Sequence, residues 1–174
     1  MVSVSETTAI VVPLIVFDRL HGSELLVGLL FAVSGVFGCV TALAAGRLDT
    51  RGREWGLLVW PMAAFPLATV LLLATGNVWL VAASMALSGL LNGPMDIALF
   101  TIRQRRTDPA LMGRAFAVSM SLNFLGFPIG SAIAGVLASA SLEAAIVFAI
   151  VAASVAAVLA ATQVPRRDPQ AVGA

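Results

Sequence analysis

The chain has 174 residues, of which 60% are hydrophobic and 11% charged, and its ten basic residues are all arginine, for a formal net charge of +1. Its mean hydropathy is +1.01. Soluble domains carry about 25% charged residues, so the composition excludes a water-soluble globule, and no basic, aromatic-laced helix points to nucleic acid. His21 and Cys39 are single residues of their kinds, which excludes a histidine–cysteine metal cluster and an intrachain disulfide. The start, MVSVSETTAIVV, lacks a basic region and has Glu6 where a signal peptide has its apolar core.

A membrane helix needs about 20 mostly apolar residues to cross a core of about 30 Å. Taken in chain order, the predicted helices cover about 2–18, 23–47, 54–75, 78–103, 109–138 and 142–163. The first is the weakest, interrupted by Ser3, Ser5, Glu6, Thr7 and Thr8. The run from Trp55 to Met95 is long enough for two spans, and Thr75-Gly76-Asn77 supplies the reversal between them. Asp108 and Pro109 suit the N-cap and first position of the fifth helix. No apolar/polar alternation suggests a barrel, the other way to satisfy a backbone in lipid. The fold class is therefore all-α integral membrane, a six-transmembrane-helix bundle over residues 1–163. The polar tail, 164–174, is expected to be disordered.

Arginine placement gives an orientation. With six spans, Arg47, Arg51, Arg53, Arg103, Arg105, Arg106, Arg114, Arg166 and Arg167 share one side, and Arg19 alone lies on the other. By the positive-inside rule the crowded side is cytoplasmic. A multi-pass protein of the cell inner (plasma) membrane, with both termini and the tail in the cytoplasm, is expected.

Small residues recur at i, i+4 in several spans: Ser34, Gly38, Ala42 and Gly46; Gly89 and Gly93; Gly126, Gly130, Ala134 and Ala138; and Ala145 to Ala161. Such ladders let helix backbones approach in lipid, and they read as packing. The fourth span adds a polar stripe, Ser84, Ser88, Asn92 and Asp96. Asp96 lies about 6–10 Å inside the basic loop. It either pairs with Arg103 or Arg105 at the interface, or forms a polar wall as a proton or cation carrier, with Pro94 opening the helix beside it. Glu6 falls near the midplane if the first helix is complete, and near a solvated end if it is not. In the fifth span, Ser119, Asn123 and Ser131 either line the same cavity or make packing hydrogen bonds.

Between the second and third spans stands GRLDTRGRE, residues 46–54, with five charges in nine residues. It resembles the cytoplasmic hinge of the major facilitator superfamily, written G-x-L-a-D-R-x-G-R-R. Gly46, Leu48, Asp49, Gly52 and Arg53 match in type and order. One residue is missing between Gly46 and Asp49, and Glu54 stands where the family has a basic residue; a loosened copy of this kind resembles the one in the family's second half. PLIVFDRLHGSELLVGLLFAVSGVFG resembles the family's seventh and eighth helices, and RQRRTDPALMGRAFAV its loop between helices ten and eleven.

The resemblance covers about residues 5–163, one half of a twelve-helix transporter. It implies a secondary active transporter, or the C-terminal half of one, moving a small-molecule substrate by alternating access, with no enzymatic chemistry and no cofactor. The nearest likeness is to proton-linked drug or siderophore exporters. The implied partners are the lipid bilayer and either a missing N-terminal half or a second copy of the chain. It also implies a latching role for Gly46, Asp49, Arg51, Gly52 and Arg53. The transport-pathway candidates are Asp96, Glu6, Asn92, Ser88 and Asn123. A non-transporting membrane assembly protein is the alternative; a membrane redox subunit is disfavoured by the lone histidine in an outer loop.

Overall fold

The computed structural model describes residues 2–47, 53–74 and 76–164. Among them six α-helices follow in order: α1 (Val2–Leu14), α2 (Glu24–Gly46), α3 (Glu54–Val70), α4 (Val78–Arg106), α5 (Met112–Ala140) and α6 (Leu142–Gln163). With the 3-10 turn Leu71–Leu73 that extends α3, helices α2 to α6 are each long and apolar enough to cross a bilayer. The all-α, six-helix membrane bundle is thus present, with α1 the short member among the described residues. The tail beyond Val164 lies outside the described residues.

Local chemistry sets the ends. The Asn77 side chain accepts the Trp79 N–H at 2.9 Å and starts α4. Ser141 accepts the Ala144 N–H at 3.4 Å and separates α5 from α6 by a single residue. α1 carries Pro13, which has no N–H to give; the chain then widens into a π-helical turn, Ile15–Arg19. Beyond it His21 takes the left-handed backbone at φ 48°. Gly22 is needed for another reason: a Cβ there would stand 2.8 Å from both Val16 and Leu26 side chains. At the other end of the molecule the expected cap of α5 is displaced. Asp108 accepts the Ala110 N–H at 2.9 Å and closes a turn with Leu111, so the helix begins only at Met112. Proline just after an aspartate favours such a turn as much as a helix start.

α4 is the centre of one side of the bundle, with α2 along one flank and α3 along the other. α3 also packs on α6, and α1 packs on α5 and α6. Exchanging α1 with α4, α2 with α5 and α3 with α6 maps these pairings onto one another. Consecutive spans alternate in direction, so the two three-helix units are inverted copies.

The α2–α4 contact is made by the two small-residue ladders. A Cβ built on Gly93 would lie 2.6 Å from the Ala42 nitrogen and 2.8 Å from the Gly38 oxygen, and one on Gly89 would lie 3.1 Å from the Gly38 nitrogen. The two backbones touch because neither glycine has a side chain. Ser34 meets Gly89, Gly38 meets both glycines, and Gly46 faces Ile97, so the helices run parallel. Ser84 donates from α4 to the Ala68 carbonyl at 2.7 Å. That carbonyl is in the last turn of α3, just before the 3-10 turn Leu71–Leu73. In the alanine ladder of α6, Ala145, Ala149, Ala153 and Ala157 are all buried.

Buried side chains form layers along the bundle. Val11, Val12, Ile15, Val81, Met85 and Ile146 pack near the His21 end, and Leu58, Met62, Met95, Ala98 and Ala157 near the arginine-rich end. Large apolar side chains on the outside include Val36, Val40, Leu43, Trp60, Leu67 and Trp79, as a helix in lipid requires. α2 is the barest, with only Leu30 and Ala45 buried.

Lipid gives helices no hydrophobic reason to associate, so close packing has to hold them. Gly89→Leu should lower stability by about 1–3 kcal/mol, the usual cost of overpacking. Gly28→Ala meets nothing within 4 Å and should stay within about 0.5 kcal/mol of the parent. Unfolding titrations of the purified protein in mixed micelles would compare them; equal midpoints would contradict the glycine-dependent contact.

Candidate functional site

Beside the α2–α4 crossing lies a groove of about 520 Å³. From α2 it is lined by Ser34 and Cys39, and from α4 by Asn92, Asp96, Phe100 and Thr101, with glycines between. The close approach of Gly38 to Gly89 and Gly93 sets its floor. Asp96 and Cys39 are exposed on its wall.

The polar stripe does not stay on one face. Four residues turn a helix by about 40° beyond a full circle, so three such steps carry the stripe about 120° round α4. Ser84 is therefore buried and bonded to α3. Ser88 is also buried and is not part of the groove wall. Only Asn92 and Asp96 reach the groove. Asn123 is half-buried on α5, which packs on α1 and α6, so it stands apart from them. Glu6 falls within α1, but its side chain lies outside the described residues.

α4 runs unbroken through Pro94 to Arg106. The helix is longer than the expected span because nothing interrupts it before Thr107-Asp108-Pro109. Asp96 therefore lies ten residues, or about 15 Å, from the helix end, deeper than its sequence position suggests. It makes no ion pair among the described residues. Arg105 instead pairs with Glu54, the first residue of α3. Arg103 is half-buried and its Nη1 is enclosed without a hydrogen-bond partner. Interface pairing of Asp96 with Arg103 or Arg105 is thus not what the chain forms.

Of the hinge, Gly46 is the last residue of α2 and Arg53 immediately precedes α3. Asp49, Arg51 and Gly52 lie outside the described residues. Glu54, the acidic departure from the hinge pattern, acquires its partner 51 residues away. Phe100 stacks on Phe116 of α5 with ring centroids 6.0 Å apart and planes 18° from parallel. Cys39, Phe100 and Thr101 are groove residues that sequence reasoning passed over. Their signal was slight: Cys39 follows a ladder glycine, and Phe100 is one turn beyond Asp96.

Residues 2–174 match the Major Facilitator Superfamily, and the chain belongs to that family. The uncharacterized MFS-type transporter y4rN of Sinorhizobium fredii (strain NBRC 101917 / NGR234) is 44% identical over 110 residues, which are 63% of this chain and 27% of that protein. The match spans about a quarter of the curated relative's length. No solved structure matches the chain. Halves of this family are built from nested inverted three-helix repeats, the relation seen between α1–α3 and α4–α6.

The Glu54 and Arg105 side chains are 14% and 35% exposed, so solvent screens their attraction only in part. A double-mutant cycle with Glu54→Gln and Arg105→Gln should give a coupling near the top of the roughly 0.2–1 kcal/mol found for exposed pairs. A coupling below about 0.2 kcal/mol would show that the pair does nothing to join α3 to α4.

Proposed function

We propose that this bundle is one six-helix half of a secondary active transporter that moves a small solute by alternating access. In that arrangement the solute sits near the bilayer midplane between two halves that rock against each other. The second half is either another six-helix unit of the same transporter or a second copy of this chain. The observation that carries the reading is Asp96. It is the one carboxylate on the wall of the groove, it is well inside a membrane helix, and it has no ion-pair partner among the described residues. An ionisable side chain at membrane depth is costly, and such groups mark ion and proton pathways.

In this reading Asp96 takes up a proton or a cation from one side and releases it to the other. Asn92, one turn away, holds the carboxyl or the solute by hydrogen bonding. Ser88, Glu6 and Asn123 remain pathway candidates that a second half would have to bring into reach. The likeness to proton-linked exporters makes proton-coupled efflux the favoured direction. The arginine asymmetry favours an inner-membrane setting with both termini in the cytoplasm. Asp49 and its neighbours would latch one conformation from that side.

The test is transport by the natural assembly in proteoliposomes under an imposed pH gradient. Asp96→Asn should abolish coupled transport while membrane insertion stays normal, and Asp96→Glu should restore part of it. Unchanged coupled turnover in Asp96→Asn would remove Asp96 from the carrier role. Asp49→Asn should slow transport with near-normal insertion; parental turnover would reduce the hinge to an ordinary loop.

A further inference from the structure

Asp96 is the one charged side chain among the described residues that line the groove, and no arginine lines it. Arg103 is on the same face of α4, seven residues or about 10 Å farther along, and is not part of the wall. A solute bearing a carboxylate or phosphate would be repelled by Asp96 and would find no counter-ion. A neutral polyol would cover the carboxylate without matching its charge, which is costly once water is displaced. A cation meets neither objection. Phe100 supplies a second contact. It lines the groove one turn, about 6 Å, beyond Asp96, which is within the range over which an aromatic ring attracts a cation. Phe116 stacks on it with planes 18° from parallel and so steadies the ring, while 40% of Phe100 stays exposed. Gly35 and Gly38 add no side chains to the wall, so a planar group can lie close to the backbone. A volume of about 520 Å³ is that of a small-molecule site.

We propose that the solute held by this groove is an arylalkylamine in its protonated form, with the ammonium on Asp96 and Asn92 and the ring against Phe100. This rests on the reading of the groove as a transport site. A linker of about two or three carbons between nitrogen and ring covers one helical turn. Asn92 is one turn from Asp96 on the side away from Phe100, and its side-chain oxygen accepts an ammonium N–H. The polar head is therefore toward Asn92 and the ring toward the arginine-rich end. Asp96 selects for charge, and Phe100 selects for the ring.

The chain carries its own reporter, because Cys39 is its single cysteine and is exposed on the groove wall. The probe is phenethylammonium, and the measurement is how far it protects Cys39 from a maleimide. Membranes carrying the natural assembly are labelled at rising probe concentration, and the label is read on this chain. Phenethylammonium should slow labelling in a saturable way. Phenethyl alcohol, its neutral counterpart, and phenylpropionate, its anionic one, should not do so at the same concentrations. Asp96→Asn should raise the half-protecting concentration by at least about 10-fold, the weight of a hydrogen bond to a charged group, and Asp96→Glu should recover part of it. Phe100→Leu, which keeps an apolar side chain without the ring, should raise it roughly 2- to 12-fold. Phe100→Trp should not raise it. No saturable protection by phenethylammonium in the parent, or equal protection by phenethyl alcohol, would overturn the proposal. An unchanged half-protecting concentration in Phe100→Leu would overturn it as well. Protection is read without turnover, so the two readings fail separately. Coupled transport that is lost in Asp96→Asn, with no protection by the amine, sinks the amine and keeps the carrier. Protection by the amine, with transport undisturbed in Asp96→Asn, sinks the carrier role and keeps the amine site.

Discussion

The backbone contact between α2 and α4 is the constraint on which the rest of this six-helix bundle depends. In lipid, a helix gains little by hiding apolar surface from another helix, since the acyl chains are as apolar as leucine. What remains is dispersion at short range, and that falls away within an ångström of optimal contact. Gly89 and Gly93 allow α4 to press on Ser34, Gly38 and Ala42 at backbone distance. α2 has almost no other neighbour. The groove that holds Asp96 is the space beside this crossing, so the chemistry of the site and the stability of α2 share the same few atoms.

A second link fastens α4 from the opposite flank. Ser84 bonds to a carbonyl in the last turn of α3, and Glu54 pairs with Arg105 at the far end of the same two helices. α4 is thus gripped along its length by α2 and α3. The inverted counterpart of this grouping, α1 with α5 and α6, is less extensively packed, and its leading helix is interrupted by the π-helical turn after Pro13. The two repeats share a plan but differ in how closely their helices pack.

Much of this was written in local sequence. Uncharged runs of twenty or more residues, broken at Thr75-Gly76-Asn77, gave the spans after the first, because length and turn chemistry act over a few residues at a time. The small-residue ladders identified which faces would pack, but not which ladder would meet which, since that choice is tertiary. The polar stripe from Ser84 to Asp96 was misleading for a geometric reason: an i, i+4 series winds round a helix, and only its lower half reaches the groove. The partner of Arg105 was out of reach as well. Nothing near Arg105 in the chain marks Glu54, and the pairing exists only because α3 and α4 lie side by side. The cap at Asp108 failed because aspartate followed by proline serves a tight turn equally well.

The bareness of α2 bears on how the chain is made. Ser34 leaves the ribosome some 55 residues before Gly89, which at 5–20 residues per second is a wait of roughly 3–11 s. During that time α2 lives in the bilayer without the helix that will hold it. Its 23 residues carry a single charge, Glu24 at the very start, so it can rest there alone. α4, with a carboxylate in its lower half, arrives to a partner already embedded and offering a glycine-lined face. The order of the helices along the chain thus lets the sturdier membrane tenant enter first and shelter the one that needs company.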